Sequence, residues 1–396
     1  MNRDYPYYKA IFKGRPLPLA YVDLDLFDEN VRNIIPRTGT KKIRVASKSV
    51  RCTHLLKRIL NSDSRYQGLM CFTVGEAVYL SQSGFDNLLV AYPTTQEAQL
   101  KAACREVSKG KLLVLMIDSR EHLAAHQRAA AETGVTLPVC MDVDMSSKFP
   151  GIHFGVLRSN ITNEVDATAF YKEVKGCPNL KLTGIMGYEA QIAGLGDNYP
   201  GQAIKNSVVK MLKRRSIKLL SARRKAVVNT LNTLGAELSL VNGGGTGSLE
   251  STREEEVVTE VTVGSGFYSS GLFDNYTTFR HHPSAGYAIE VVRKPVPGVY
   301  TCHGGGYIAS GAIAADKLPK PYLPEGAKLT PNEGAGEVQT PIAYTGPETL
   351  ELGDPVLMRH SKSGELCERF DKLLLVSDGK IVDEVNTYRG EGQCFL

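Results

Sequence analysis

The feature that most limits the possible folds is a regular alternation of apolar segments with helical segments over the first two thirds of the chain. Eight apolar segments have the length of strands, namely residues 20–25, 43–47, 68–73, 87–91, 112–117, 137–143, 181–187 and 238–242. Segments with helical periodicity lie between them, at residues 53–61, 74–83, 95–108, 119–132, 166–175 and 202–234. Eight strands joined by helices predict a (β/α)8 barrel, although the pattern alone also allows an open doubly wound sheet.

The alternation ends near Tyr276. Short apolar segments separated by glycine and proline follow, at residues 287–292, 298–303, 355–359, 372–377 and 380–385. This pattern predicts a domain of short strands. We therefore predict three parts, which are a lead-in segment of residues 1–17 that packs on the β-domain, a barrel of residues 18–275, and a C-terminal β-domain of residues 276–396.

The composition argues against several classes of protein. The 396 residues include 47 Lys and Arg and 42 Asp and Glu, so the net charge is only +5 and gives no reason to expect a nucleic-acid partner. The N-terminus lacks the apolar core of a signal peptide, and no segment is long enough to cross a bilayer. The eight cysteines occur singly, which favours reduced thiols. We expect a soluble cytoplasmic protein without a membrane partner.

Lys48 follows the second predicted strand and is the first candidate for chemistry. In a barrel of this kind the carboxyl ends of the strands carry the active site. A lysine there can form a Schiff base if its amine is desolvated or lies near other cations. A lone lysine is more often a solvated surface residue, so Lys48 gains weight only from the motifs that follow it.

A glycine-rich loop after the eighth predicted strand is the most specific local motif. Residues 241–248 read Val-Asn-Gly-Gly-Gly-Thr-Gly-Ser. Glycine lets a ligand approach the backbone, so successive N–H groups can bind an anion such as phosphate. The Gly264-Ser265-Gly266 turn could add a second set of donors. A flexible turn is the alternative for both, and neither matches the dinucleotide fingerprint.

Other strand ends carry weaker signals. Tyr188 follows the strand at residues 181–187 and could stack on a ring or donate a hydrogen bond, although a lone tyrosine there is more often packing. Asp142 and Asp144 end another strand, and Arg158 lies nearby in the sequence. A structural ion pair and a role in the site are equally good interpretations of these charges.

The predicted β-domain contains a second group of reactive residues. His360 and Cys367 are potential zinc ligands, but their spacing does not match a compact metal motif. Glu337 follows a loop rich in glycine and could reach the interface between the domains, where pockets tend to form.

Taken together, these motifs resemble the fold-type III pyridoxal phosphate enzymes, and within them the group that contains D-threonine aldolase and eukaryotic-type D-serine dehydratase. The resemblance covers nearly the whole chain. It rests on residues 18–25, Arg44 with Lys48, residues 184–188, residues 243–247, Thr259 with Glu260 and Gly264, and His360 in the β-domain.

The resemblance implies an alanine-racemase-type barrel that binds pyridoxal phosphate, with Lys48 as the Schiff-base lysine. Beside Lys48 it implies cofactor contacts from Arg44, Tyr188, Gly244, Gly245, Thr246, Gly247, Gly264, Ser265 and Gly266. It also implies a C-terminal domain that closes over the pocket. We expect a small amino-acid substrate and a homodimer.

This chain departs from the family pattern in three places. Ala46 stands where a histidine is usual, and residues 49–51 are Ser-Val-Arg where Thr-His-Lys is usual. The family's metal pair is His-x-Cys or His-x-Asp, whereas Lys362 follows His360 here. Two alternatives remain open. Either His360 binds a divalent metal (zinc, manganese or magnesium) with Cys367 or a nearby acid, or no metal is present and Lys362 supplies the positive charge.

The resulting hypothesis is a lyase that acts on a β-hydroxy D-amino acid, by retro-aldol cleavage or dehydration. Lys48, His360 and Glu337 are its expected catalytic residues. The alternative is an amino-acid racemase, which needs a base on each face of the substrate. A cofactor carrier without enzymatic activity is a third possibility, but such carriers are often only a barrel, and this chain has a further domain.

Overall fold

Eight parallel strands close into a barrel in the computed structural model, which describes residues 2–396. In chain order these strands are Lys42–Ala46, Tyr66–Cys71, Leu88–Val90, Leu113–Ile117, Leu137–Asp142, Leu180–Gly187, Leu240–Gly243 and Glu260–Val263. The α-helices between them are Thr53–Leu60, Val74–Gln82, Glu97–Ser108, Arg120–Thr133, Glu164–Lys175, Ala190–Ala193, Ala203–Thr233 and Leu249–Thr252. The prediction of a (β/α)8 barrel is therefore confirmed, and the open sheet is excluded.

Most residues of the barrel strands are apolar and buried because helices cover the outside and side chains fill the inside. All five residues of Leu113–Ile117 are buried. A separate apolar cluster packs side chains from several strands, and its members are Leu89, Ala91, Val114, Met116, Cys140, Met186 and Leu240. The inside of the barrel is thus a packed core and not a channel.

The ends of the helices follow from local chemistry. Ser119 accepts a hydrogen bond from the His122 N–H at 3.3 Å and so caps the first turn of Arg120–Thr133. That helix stops at Gly134, whose φ of 69° is left-handed and suits glycine. The helix end at Gly134 lets the next strand, Leu137–Asp142, begin within a few residues.

The barrel differs from the prediction at its first and last strands. The segment predicted as the first barrel strand, residues 20–25, is wrongly assigned, because Leu19–Asp23 pairs antiparallel with Ala285–Val296 and parallel with Lys372–Ser377 in a second sheet. Glu260–Val263 completes the barrel instead, between Leu240–Gly243 and Lys42–Ala46. Lys48 therefore follows the first barrel strand.

The second sheet has nine strands, and eight of them come from the C-terminal part of the described chain. Those eight are Ala285–Val296, Val299–His303, Lys320–Leu323, Lys328–Leu329, Gln339–Ala343, Pro355–Arg359, Lys372–Ser377 and Lys380–Asn386. A small two-stranded sheet, Ser147–Phe149 with Ile152–Phe154, projects after the fifth barrel strand.

The N-terminal helix Tyr5–Phe12 packs on the second sheet. Tyr8 donates a hydrogen bond to the Asp23 carboxylate at 2.9 Å, and its ring lies 5.3 Å from that of Tyr21. Lys9 forms an ion pair with Asp354 at 2.6 Å. Met1, the first residue of the predicted lead-in segment, lies outside the described residues.

Within residues 2–396, none of the helices combines the length and the apolar character that crossing a membrane would require.

Candidate active site

A pocket lies at the carboxyl ends of the barrel strands, where the topology places chemistry. It is lined by Lys48, by Tyr188 and by both glycine-rich loops that the sequence singles out. Of the described residues that line it, none is Asp or Glu, whereas Lys48 and Arg158 contribute cations. The charge of the pocket therefore suits an anionic guest.

Lys48 is held by a short turn directly after a barrel strand. The strand Lys42–Ala46 continues into the 3-10 turn Ser47–Ser49. Ser47 is fully buried and donates to the Met70 carbonyl at 2.9 Å, which ties the turn to the neighbouring strand. The Lys48 Nζ lies 5.8 Å from the centre of the Tyr92 ring.

Tyr92 and Arg158 form the wall beside Lys48. The Arg158 guanidinium lies 5.0 Å from the Tyr92 ring centre and 6.0 Å from the Tyr188 ring centre. The charge of Lys48 lowers the pKa of Tyr92, with a further contribution from Arg158. Tyr92 follows the short strand Leu88–Val90, so its position after a strand end is the signal that sequence reasoning missed.

Arg158 is fixed by a buried carboxylate. It binds Asp142 through Nε at 3.1 Å and Nη2 at 3.0 Å. Burial raises the pKa of Asp142 to about 6, and the Arg158 charge opposes that rise. Sequence reasoning left this pair undecided between an ion pair and a site role. The geometry satisfies both, because Arg158 pairs with Asp142 and also lines the pocket.

The first glycine loop leaves no space for a side chain at Gly245 or Gly247. Gly244 has a φ of +83°, a left-handed conformation. A Cβ on Gly245 would lie 2.7 Å from the Ala193 Cβ and 3.4 Å from the Tyr188 ring. A Cβ on Gly247 would overlap the ring of Tyr276. Tyr188 thus packs directly against this loop.

The two glycine loops meet at Thr246. The Gly266 N–H donates to the Thr246 Oγ1 at 3.1 Å, and a Cβ on Gly264 would lie 2.5 Å from the Ser49 Oγ. The N–H groups of Thr246 and Ser265 have no acceptor among the described residues, and both residues line the pocket. Two free backbone donors in a pocket without carboxylates form the beginning of a phosphate site.

Arg37 supports the first loop from behind, and no sequence signal pointed to it. Its Nη2 donates to the Thr246 carbonyl at 2.7 Å, and its Nε pairs with Glu250 at 2.6 Å. The guanidinium also lies 4.0 Å from the centre of the Phe279 ring. These contacts limit movement of the loop without placing Arg37 in the pocket.

Arg44 lies below the pocket and does not line it. It is buried inside the barrel, where it pairs with Glu260 and donates to both oxygens of Asn87. Glu260 accepts from Asn242 at 2.7 Å, and Asn242 does line the pocket. The geometry gives Arg44 no direct contact with a pocket ligand and links it to the pocket only through Glu260 and Asn242.

The structure does not bring the β-domain residues into the pocket. His360 is fully buried, has no hydrogen-bond partner on either ring nitrogen, and packs edge-on 6.4 Å from the Tyr268 ring centre. Burial lowers the pKa of His360 to about 3, so the ring is neutral. Glu337 is exposed in a loop. Their catalytic roles stay predictions that this geometry does not support.

The donor set that sequence reasoning considered for a metal does not form. Burial raises the pKa of the Cys367 thiol, which donates to the Val50 carbonyl at 3.3 Å. Nowhere in residues 2–396 do three His, Cys, Asp or Glu side chains gather to hold an ion. The residues present therefore do not fit a divalent metal at His360.

Comparisons with known proteins agree with this architecture. The family described as "Alanine racemase, N-terminal domain" matches residues 22–270. A D-threonine aldolase of Arthrobacter sp is 21% identical over 374 residues, which cover 92% of this chain and 90% of that protein. A 3-hydroxy-D-aspartate aldolase of Paracoccus denitrificans is 24% identical over 255 residues, covering 63% and 59%.

The fold is also that of a solved D-threonine aldolase from Filomicrobium marinum. The two structures superpose with a TM-score of 0.78 at 16% identity, and the match covers 96% of each chain. The resemblance expected from the motifs around Lys48 and the glycine loops is thus confirmed. This chain belongs to the family described as "Alanine racemase, N-terminal domain".

Proposed function

We propose that this chain is a pyridoxal-phosphate-dependent lyase that acts on β-hydroxy D-amino acids. The observation that carries the proposal is one pocket in which the Lys48 amine and two free backbone N–H groups, of Thr246 and Ser265, line the same cavity. An aldehyde-bearing cofactor with a phosphate needs these two features together, a lysine at one end and an anion site at the other.

The residues of the pocket fit that cofactor. The phosphate would take the Thr246 and Ser265 N–H groups, where Gly245 and Gly264 keep the backbone accessible. Tyr188, which packs against Gly245, would lie along the ring. The cofactor, when bound, supplies an electron sink for negative charge at the α-carbon of an amino acid.

The chain's own residues would then bind and orient the substrate. The Arg158 cation lies in the pocket between the rings of Tyr92 and Tyr188, where a carboxylate or a ring oxygen of the guest could pair with it. Lys48 is the pocket amine that can take or return a proton at the α-carbon. Asp142 keeps Arg158 in place from outside the cavity.

The names of the relatives favour cleavage over racemisation. Both curated proteins are aldolases of D-amino acids, and the other structural neighbours include a D-threo-3-hydroxyaspartate dehydratase from Delftia. We therefore rank the lyase above the racemase. The homodimer, the cytoplasmic location and the domain limits 18–275 and 276–396 remain predictions from the sequence.

The first prediction separates the two activities with one substrate. Incubation with pyridoxal phosphate and D-threonine is expected to yield glycine and acetaldehyde, because the electron sink stabilises the charge that remains when the α–β bond breaks. Chiral chromatography and an aldehyde assay measure the products. The Lys48→Ala variant is the control and should be inactive. An L-amino acid as the main product would contradict the proposal and favour the racemase.

A further inference from the structure

A second lysine, Lys362, lies in residues 360–364 of the β-domain, a segment that contacts the pocket although Lys362 itself does not line it. A Cβ on Gly364 would overlap the Lys48 carbonyl oxygen, so this segment lies directly against the Lys48 turn. Ser363 donates to the Ser265 carbonyl at 3.2 Å, and Ser265 lines the pocket. The segment is therefore attached to the pocket on the two sides that carry Lys48 and the second glycine loop.

A third attachment comes from the turn Gly271–Asn275, which carries the pocket residue Phe273. The N–H of Gly271 donates to the His360 carbonyl at 3.0 Å, and that of Leu272 donates to the Ser361 carbonyl at 3.2 Å. These backbone bonds fix the main chain next to Lys362 relative to the pocket, and they do not depend on the conformation of the Lys362 side chain.

The Lys362 ammonium uses only part of its hydrogen-bonding capacity. An ammonium has three N–H donors, and among the described residues Lys362 donates only to the Ser310 Oγ, at 2.9 Å. Ser310 donates in turn to Glu365. The neighbouring Lys317, in contrast, forms an ion pair with Asp316 at 2.9 Å. The Lys362 ammonium is therefore positioned by one hydrogen bond, and its other N–H donors have no acceptor among the described residues.

The Lys362 and Lys317 side chains converge at Gly311, where a Cβ would lie 3.8 Å from the Lys362 Nζ and 3.7 Å from the Lys317 Cε. Burial lowers the pKa of Lys362, and the charges of Lys317 and Lys48 lower it further. The carboxylates of Glu365 and Asp316 raise it. An ammonium that has lost part of its hydration and lies near two other cations gains more than a surface lysine from binding an oxygen anion.

We propose that the Lys362 ammonium binds the oxygen-bearing substituent on the β-carbon of the substrate, a hydroxyl or a carboxylate, and that this chain uses a side-chain cation where its family resemblance implied a metal ion. The inference rests on the proposed function, because it needs an amino acid in the pocket with its α-carbon near Lys48. It also accounts for a β-domain segment whose His360 and Cys367 do not form a metal donor set.

The second prediction compares Lys362→Met with Lys317→Met, the matched control at the neighbouring lysine. The kcat/KM for D-threonine should fall about 10- to 100-fold in Lys362→Met, the range for losing a hydrogen bond from a charged group, and should change little in Lys317→Met. Lys362→Arg should restore part of the loss. A parallel assay follows exchange of the α-hydrogen of D-alanine in deuterium oxide by mass spectrometry. D-Alanine has no β-oxygen, so its exchange should fall far less in Lys362→Met than the kcat/KM for D-threonine does.

The outcomes separate this inference from the proposed function. Equal kcat/KM values for Lys362→Met and the unchanged chain would overturn the inference. So would activity that is lost to EDTA and restored by a divalent ion. Failure of the unchanged chain to act on either D-threonine or D-3-hydroxyaspartate would overturn the proposed function, and the inference with it. If Lys362→Met lowers kcat/KM more for D-3-hydroxyaspartate than for D-threonine, Lys362 binds the carboxylate. If it does not, Lys362 binds the hydroxyl.

Discussion

The barrel edge at Lys48 and the β-domain segment at residues 359–368 both carry reactive side chains, but they present them in opposite ways. At the barrel edge, Lys48, Tyr188 and the glycine loops face one pocket. In the β-domain segment, His360 and Cys367 are both fully buried and neither lines the pocket. The difference is topological. The ends of parallel barrel strands must meet at one edge, whereas an irregular turn after an antiparallel strand can place its side chains in the core.

The largest effect expected on cofactor binding is at the glycine loop of the barrel edge. Gly245→Ala should weaken binding of pyridoxal phosphate about 10- to 100-fold, because the new Cβ would lie 2.7 Å from the Ala193 Cβ and overpacking costs about 1–3 kcal/mol. Titration of the visible absorbance measures the affinity.

Gly75→Ala is the matched control, since its Cβ would make only ordinary contacts, at 3.6 Å from the Phe395 ring and 3.9 Å from the Thr73 Oγ1. It lies in the helix Val74–Gln82, where alanine is preferred to glycine. If Gly245→Ala binds the cofactor as tightly as Gly75→Ala does, the first glycine loop is only a turn. The barrel edge would then not differ from the β-domain segment in binding a ligand.

A smaller effect, on stability and not on turnover, is expected in the β-domain segment. Burial lowers the pKa of His360 from 6.5 to about 3, so the neutral ring contributes stability that is present above pH 6.5 and is lost as the pH falls towards 3. Leucine at this position has no proton to bind. The free energy of unfolding of the unchanged chain should therefore fall by about 2 kcal/mol more than that of His360→Leu when the pH is lowered from 7 to 5.

Urea denaturation at the two pH values measures this difference, and His54→Leu, at an exposed position, is the control for replacing a histidine with leucine. Turnover of His360→Leu should stay close to that of the unchanged chain, because His360 does not line the pocket. Loss of turnover with a retained fold would give His360 the catalytic or metal role that this geometry does not support.

The fold was largely predictable because the barrel strands are short, apolar and separated by helices of ordinary length. The error at Leu19–Asp23 has a clear cause. A strand followed by a helix looks the same in sequence whether it pairs with the next strand or with a sheet formed more than 260 residues later, at Ala285–Val296. Glu260–Val263 was missed as a strand because it has only four residues and runs into a glycine turn.

The site was predictable only where chemistry coincides with a strand end. Lys48 and Tyr188 directly follow strands and are in the pocket. Arg44 lies within the strand Lys42–Ala46, and its side chain points into the barrel towards Glu260, which no motif reveals. Arg158 reaches the pocket from the segment after the strand pair Ser147–Phe149 and Ile152–Phe154. Its position depends on how that insertion folds back.

The central claim is that Lys48 holds pyridoxal phosphate covalently, and borohydride reduction followed by peptide mass spectrometry tests it most directly. The purified chain, supplied with the cofactor, is expected to absorb visible light, and reduction should remove that absorbance and leave the cofactor mass on the peptide that contains Lys48. Lys48→Arg, which keeps the charge, should take up no label. A reduced cofactor on any other lysine, or none on Lys48 in a chain that binds the cofactor, would contradict the account.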